Sequence, residues 1–296
     1  MARSPGVSHI ARKPRPCWVF FTDVDGTLLD NDTYRWNVAQ PALTQLKRLK
    51  LPLVMVSSKS QAELRVILRR LHLREPFIAE NGGGIYFPSN YFPFPVPDAR
   101  TTMPGWLKVG LGAPYGRLVR ELGACARRAH VRVRGYAQMS IREVCDATGL
   151  SPSDAQRAIA REYDEPFLIL DGGARDWSRL RAAIRQRGLS TTRGGRFFHI
   201  LGRTSKGFAV RLLVRWFRRK SGGRISTVGF GDSPNDISML RAVDVPILVS
   251  RPGGRYDTET ITAVRGIRRA GGVGPEGWNK AALKLLREAS REQNCS

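Results

Sequence analysis

The run Val19-Phe20-Phe21-Thr22 carries no charge on any position and ends at Asp23-Val24-Asp25-Gly26-Thr27. An unbroken apolar and β-branched run of this length describes a strand buried on both faces, the kind found in parallel sheets covered by helices. Asp23 then falls at the carboxyl end of the strand, which in an open α/β sheet faces the ligand crevice. Asp25 shares its side-chain parity, and Gly26 lets the backbone turn sharply. Two neighbouring carboxylates repel unless a cation sits between them. A hard divalent ion with oxygen ligands and a phosphate satisfies such a pair, and a carboxylate can also act as a covalent nucleophile. A bare Asp-x-Asp also fits an acidic turn closing a strand; the apolar run before it and the Gly-Thr after it favour chemistry.

The same grammar repeats. Helix patterns over 41–49 and 61–73 alternate with strand patterns over 53–56 and 77–79, and Leu64, Ile67, Leu68 and Leu71 fall at helical spacing. Glu80-Asn81-Gly82-Gly83-Gly84 is a turn into a strand over 85–87, and its glycines fit either a hairpin or a backbone nest for an anion. Residues 89–104, rich in proline and aromatics, read as a hinge. Between 101 and 202 the pattern changes to helices over 115–129, 140–148, 151–162 and 177–187 with strands over 131–134, 166–170, 189–193 and 196–201. From 205 strand and helix alternate again: a helix to 217, a strand over 225–230, a helix over 234–242, a strand over 246–249 and a last helix over 279–289. The expected organisation is a disordered basic tail at 1–16, an α/β core from 17–100 and 203–296, and an inserted α+β domain at 101–202.

At 296 residues with 42% hydrophobic content the chain suits two globular units. No apolar stretch approaches the ~18 to 20 residues of a membrane helix. Residues 1–16 lack the apolar region of a secretory signal. Cys17, Cys125, Cys145 and Cys295 form no Cys-x-x-Cys pair, which suits a reducing cytoplasm. The net charge of +24, from 49 Lys plus Arg against 25 Asp plus Glu, favours anionic partners, either nucleic acid or an anionic substrate. The arginines are spread along helix patterns, as at Arg65, Arg69, Arg70 and Arg74, which is how a solvated basic helix surface looks.

Gly229-Phe230-Gly231-Asp232-Ser233-Pro234-Asn235-Asp236 is a second strand end. Helix capping accounts for Ser233, Pro234 and partly for Asp236. It leaves Asp232 without a capping duty, so Asp232 is a candidate metal ligand, with Asp236 a further ligand or an orienter. Lys206 opens the helix bearing Val210, Leu213, Val214 and Phe217, where a cation opposes the macrodipole unless an anion sits nearby. Ser57 offers a hydroxyl and a backbone N–H to phosphate, or an N-cap that Ser60 could supply instead.

Together, Asp23-x-Asp25-Gly-Thr, the strand-end Ser57, Lys206 and Gly231-Asp232-Ser233-x-Asn235-Asp236 resemble, in order and spacing, the four motifs of the haloacid dehalogenase (HAD) superfamily of phosphatases. The insertion resembles the C2-type cap of its Cof-type members, subfamily IIB. Ser57-Ser58-Lys59, Glu80-Asn81-Gly82-Gly83, Arg161 to Phe167, Gly194-Gly195-Arg196-Phe197-Phe198-His199 and Gly274 to Trp278 are similar to strings of the mannosyl-3-phosphoglycerate phosphatases. The resemblance implies a HAD-like Rossmannoid parallel-sheet core with an α+β cap. It implies hydrolysis of 2-O-mannosyl-3-phosphoglycerate, a step in compatible-solute biosynthesis, with the glucosyl compound or other sugar phosphates as alternatives. Asp23 would attack phosphorus, Asp25 would serve as acid and base, and Mg²⁺ would be held by Asp23, Asp25 through its carbonyl, and Asp232. Ser57, Lys206 and Asn235 would hold phosphoryl oxygens. Ser58, Lys59 and Asn81 join the substrate-binding set, and Arg161, Glu165, Arg196 and His199 are its cap candidates. His199 also fits a satisfied structural histidine, and Arg161 a solvated helix residue. Arg203-Thr204-Ser205 before Lys206 departs from the acidic or glycine-rich approach of many members. A nucleic-acid-binding protein on a HAD scaffold is the alternative of another class, which intact Asp23, Asp25, Lys206 and Asp232 disfavour. Oligomeric state is not legible in the sequence.

Overall fold

The computed structural model describes residues 17–194 and 197–294. The basic segment 1–16 and the cap candidate Arg196 lie outside the described residues. In chain order the structure runs β1 (Cys17–Thr22), α1 (Gln40–Arg48), β2 (Leu53–Val56), α2 (Gln61–Arg70), β3 (Phe77–Ala79), β4 (Gly84–Pro88), β5 (Arg100–Met103) and β6 (Trp106–Gly110). It continues through α3 (Tyr115–Ala129), β7 (Arg132–Gly135), α4 (Ile141–Thr148), α5 (Pro152–Ile159), β8 (Asp164–Asp171), α6 (Ala174–Gln186), β9 (Ser190–Gly194) and β10 (Phe197–Leu201). It closes with α7 (Lys206–Ser221), β11 (Ile225–Gly231), α8 (Ile237–Leu240), β12 (Val245–Ser250), α9 (Thr258–Ala263), β13 (Arg268–Val273) and α10 (Gly274–Asn294).

Nine strands form one sheet in the order β13-β12-β11-β1-β2-β3-β4-β6-β5. β1 lies inside it, paired in parallel with β11 and β2. Its successive side chains serve opposite faces, Phe20 in a cluster with Trp278 and Leu64, and Val19 and Phe21 in one with Leu213 and Phe217. That is the double burial the opening run calls for. The parallel run ends at β3. A tight turn at Glu80, Asn81 and Gly82, all at positive φ (52°, 56° and 93°), reverses the chain, so β4 pairs antiparallel with β3, and β6 and β5 follow antiparallel. The sheet is therefore mixed rather than wholly parallel. β5 and β6 occupy residues expected in the loop and the insertion, yet they extend the nine-stranded sheet. Of the two, only β5, at the sheet's end, is paired on a single flank, and polar residues such as Arg100 and Thr101 there and Lys108 in β6 mask the strand pattern.

The second sheet, β7-β8-β10-β9, is antiparallel. Helices α3 and α6 cover one face through Leu118, Leu122, Leu180 and Ile184, packed with Phe167 and Ile200. A smaller cluster of Tyr136, Val144, Ala155 and Phe197 joins α4 and α5 to the sheet. The helix expected to reach residue 162 stops at Ile159, so Arg161 sits in the connection entering β8 rather than on a helix face. The last helix starts at Gly274, earlier than the expected 279, and the pattern reading missed α9 and β13. Ser60, with Glu63 completing a reciprocal box, caps α2, and Ser205 caps α7.

Candidate active site

The carboxyl ends of β1 and β11 lie side by side, which brings Asp23 and Asp232 to one place from segments far apart in sequence. Gly26 crosses this junction at φ +72°; a Cβ there would lie 3.2 Å from Asp232 Oδ2. Asp23, Asp232 and Asp236 each present a carboxylate oxygen within 4.8 Å of the others. Lys206 reaches in from the first turn of α7, with Nζ donating to Asp23 Oδ1 at 2.6 Å and Asp236 Oδ1 at 2.7 Å. Burial alone pulls the lysine pKa down, but the two carboxylates override it and hold it well up, so Lys206 stays an ammonium. The misplaced cation of the sequence reading has its anions in these two aspartates.

Burial and then the neighbouring Asp236 push Asp23 well above the usual carboxylate range, against the pull of Lys206. Burial and Asp236 likewise raise Asp232 to about 6, against Arg251 and Ser233. Three carboxylates with one lysine leave excess negative charge in a buried place, and a hard cation with oxygen ligands removes that strain. The donor set thus fits a divalent metal. Asp236 is the most committed of the three: beyond Lys206, its Oδ2 accepts the N–H groups of Asp232 at 3.1 Å and Ser233 at 3.2 Å. One Asp236 oxygen is thus engaged by Lys206 and the other by two backbone N–H groups. Arg251, which the sequence reading missed, pairs with Asp232 at 3.4 Å and Asp257 at 3.2 Å.

The Asp25 side chain leaves this cluster. Its Oδ2 meets Lys59 Nζ at 2.9 Å, while Oδ1 is buried with no hydrogen-bond partner. Lys59 also reaches Glu63 at 3.5 Å and lies 5.1 Å from the Tyr34 ring centroid. Burial works against its charge, and Asp25 and Glu63 outweigh burial, so its pKa is raised.

These groups open into a cleft of about 1100 Å³ between the two sheets, lined by Asp23, Asp25, Lys59 and Asp232 on one side and by Tyr136 and His199 on the other. Ser58, Arg161 and Asn235 also line it. Several expected contacts are differently employed. The Ser57 N–H donates to Ile78 O at 3.0 Å as β2 continues its pairing, so only its hydroxyl, which accepts the Lys59 N–H, is left for a ligand. Ser60, not Ser57, caps α2. The N–H groups of Glu80, Asn81 and Gly83 donate to Lys59, Ser57 and Glu80 carbonyls, which makes this segment a turn and not an anion nest. Glu165 points away from the cleft: its carboxylate accepts from the Tyr115 hydroxyl at 2.6 Å and the Ala137 N–H at 3.0 Å, and burial raises it to about 7. The Arg161 side chain is 5% exposed and held in place, Nη1 donating to Ser58 O at 2.6 Å and Nε to Ala158 O at 2.8 Å, so it is not a solvated helix residue.

Two further groups were invisible to spacing. Glu80 accepts the N–H groups of Glu162 at 3.0 Å and Tyr163 at 2.6 Å, tying the β3–β4 turn to the strand entering the second sheet. Burial, against Arg161 and the Tyr163 N–H, lifts it to about 7. Asp164, fully buried, accepts Asn81 Nδ2 at 2.8 Å and faces His199 Nδ1 at 3.0 Å from both oxygens. Burial pushes its pKa up, but His199 and then Arg161 bring it below the usual value.

The fold and this cluster define a class of protein, and the chain belongs to the haloacid dehalogenase-like hydrolases; a model of that family matches residues 20–92. A glucosyl-3-phosphoglycerate/mannosyl-3-phosphoglycerate phosphatase from Methanococcoides burtonii is 38% identical over 268 residues, covering 90% of this chain and 97% of the relative. A protein of the same description from Persephonella marina is 35% identical over 92% of this chain and 98% of its own length. Among solved structures, a HAD subclass IIB sugar phosphatase superposes with a TM-score of 0.61 at 16% identity over 91% of this chain and 98% of that one, which fixes the fold.

Proposed function

We propose that this chain is a Mg²⁺-dependent phosphatase of hexosyl-3-phosphoglycerates, mannosyl or glucosyl, acting in the cytoplasm on a small phosphorylated sugar acid. The observation that carries the reading is the buried group of Asp23, Asp232, Asp236 and Lys206 at the mouth of a cleft. The double name of the two full-length relatives supplies the substrate class. In this reading residues 17–110 and 203–294 form the catalytic unit, and the segment from about 114 to 202 is the cap.

Asp23, Asp232 and the Asp25 carbonyl would hold the metal, with Asp236 orienting them. When bound, the ion neutralises negative charge on the transferring phosphoryl group. An Asp23 oxygen attacks phosphorus in line, and the bond from phosphorus to the glycerate oxygen breaks. Asp25 gives its proton to that leaving oxygen; the unpartnered Oδ1 is the atom suited to carry it. A water then loses a proton to Asp25 and attacks the aspartyl phosphate, freeing inorganic phosphate and the Asp23 carboxylate. Lys206 has three donors and spends two on Asp23 and Asp236, which leaves one for a phosphoryl oxygen alongside the Ser57 hydroxyl and one of the two Asn235 amide N–H groups.

The deciding experiment is phosphate release with Mg²⁺ from mannosyl-3-phosphoglycerate, glucosyl-3-phosphoglycerate, 3-phosphoglycerate and hexose phosphates. A preference for plain hexose phosphates would sink the glycerate assignment. Asp23→Asn is expected to lower turnover roughly 10³-fold or more with an unchanged circular dichroism spectrum. Retained activity in that variant refutes the nucleophile.

A further inference from the structure

Of the four cap candidates for the substrate's charged and polar groups, Glu165 is engaged by Tyr115 and Ala137, Arg161 spends Nε and Nη1 on backbone carbonyls, and Arg196 lies outside the described residues. His199 is different. Its Nδ1 is fixed on Asp164, which is itself held by Asn81, while the ring lines the cleft. The gap beside Gly194 is the part of the cleft that Gly194, His199 and Asn235 line together, and both nitrogens stand close to Gly194 itself: a Cβ there would lie 3.6 Å from His199 Nε2 and 3.2 Å from Asn235 Nδ2. Asn235 Oδ1 accepts the Ser233 hydroxyl at 2.6 Å, which turns Nδ2 toward that same gap. One nitrogen comes from the second sheet and one from the loop that carries Asp232. Among the other cleft cations, Arg251 is paired with Asp232 and Asp257, Lys59 with Asp25 and Glu63, and Arg193 lies over the Phe198 ring, while Arg181 is an exposed side chain on α6 with no group among the described residues orienting it.

We propose that His199 Nε2 and Asn235 Nδ2, brought together by the absence of a side chain at Gly194 and oriented by Asp164 and Asn81, form a two-nitrogen grip for a carboxylate on the alcohol part of the phosphate ester. An anionic oxygen in the gap accepts from Asn235 Nδ2 and from His199 Nε2 whenever that nitrogen carries a hydrogen, with the ring held in orientation through Nδ1 on Asp164. His199 binds, and Asp164 and Asn81 are positioning residues. The grip makes an acid-bearing ester a better substrate than a neutral one. It also draws on both sheets at once, because His199 stands on β10 and Asn235 on the loop that follows β11.

The inference rests on the phosphatase reading above, and its test separates the two. With Mg²⁺ present, kcat/KM is measured for 3-phosphoglycerate, which carries the acid, and for p-nitrophenyl phosphate, which does not, and their ratio is the readout. His199→Gln is expected to lower the ratio roughly tenfold or more. Asp164→Ala should lower it as far, and Asp164→Asn, which keeps a hydrogen-bond acceptor, only partway, with the change in KM for the acid substrate. Gly194→Ala, which sets a methyl against both nitrogens and leaves the buried His199–Asp164 pair unsubstituted, is expected to show the same loss and covers the case in which variants of that pair fail to fold. A ratio within twofold of wild type in folded His199→Gln or Gly194→Ala overturns the grip. A wild-type protein that releases phosphate from neither ester overturns the phosphatase reading instead.

Discussion

Lys206 is only 1% exposed, yet it carries a full charge between Asp23 and Asp236. A buried ion pair adds little net stability over apolar packing, but removing one member strands the other. Lys206→Met is therefore expected to cost about 3–5 kcal/mol in the metal-free protein, read from the urea midpoint. Mg²⁺ should raise that midpoint more in the variant than in the wild type, because the site now lacks its internal cation. An unshifted midpoint contradicts the arrangement. Asp23 and Asp232 were legible in the sequence because each follows a strand pattern and has no local duty. The partner of Lys206 was not, since Asp23 lies 183 positions away and no local pattern spans that distance. The same holds for His199 and Asp164, which meet across antiparallel strands.

Elements with two buried faces were readable: β1, β2 and β12 carry apolar residues on successive positions, and β11 is free of charge throughout, because helices cover both sides. Edge elements were not. β13 reads Arg-Arg-Ala-Gly-Gly-Val and carries one strongly buried residue, Ala270, so its strand character comes from pairing with β12 and not from its own composition. Close approaches between elements leave equally faint traces. Gly207, in the first turn of α7, lies so near α8 that a Cβ would come 2.0 Å from the Ser238 carbonyl oxygen. Gly207→Ala is expected to force the helices apart and cost about 1–3 kcal/mol, seen as a lower urea midpoint at an unchanged m-value. Because α7 carries Lys206, the same displacement should reduce phosphate release. Stability equal to wild type in that variant means that the helices do not meet this closely.

For the molecule as a whole, pH dependence follows from carboxylates buried between elements. Glu165, 1% exposed, has a folded pKa of about 7 against 4.5 in the unfolded chain. The folded state holds the proton more tightly, so unfolding releases it between these values. Its stabilisation is full below pH ~4.5 and lost as pH climbs to about 7, a change of about 3 kcal/mol for this group. Glu165→Gln keeps an acceptor for the Ala137 N–H and a partner for Tyr115, so its stability should fall less over that window. A slope equal to the wild type's in urea titrations at pH 5 and 7.5 refutes this. The charge of +24 acts at the same scale: on α2, Arg69 repels Arg65 and adds to burial in lowering its pKa. No contact among the described residues explains why the surface is so basic. The sequence alone determined the α/β class, the strand ends that carry the acids, and the resemblance to a phosphatase family, because burial period and turn chemistry are local properties of a chain. Only the tertiary structure decided that the sheet turns antiparallel after β3, that Lys206 joins Asp23 to Asp236, and that His199 faces Asn235 over Gly194. Those outcomes depend on charge and distance between segments remote in sequence, which no periodicity records.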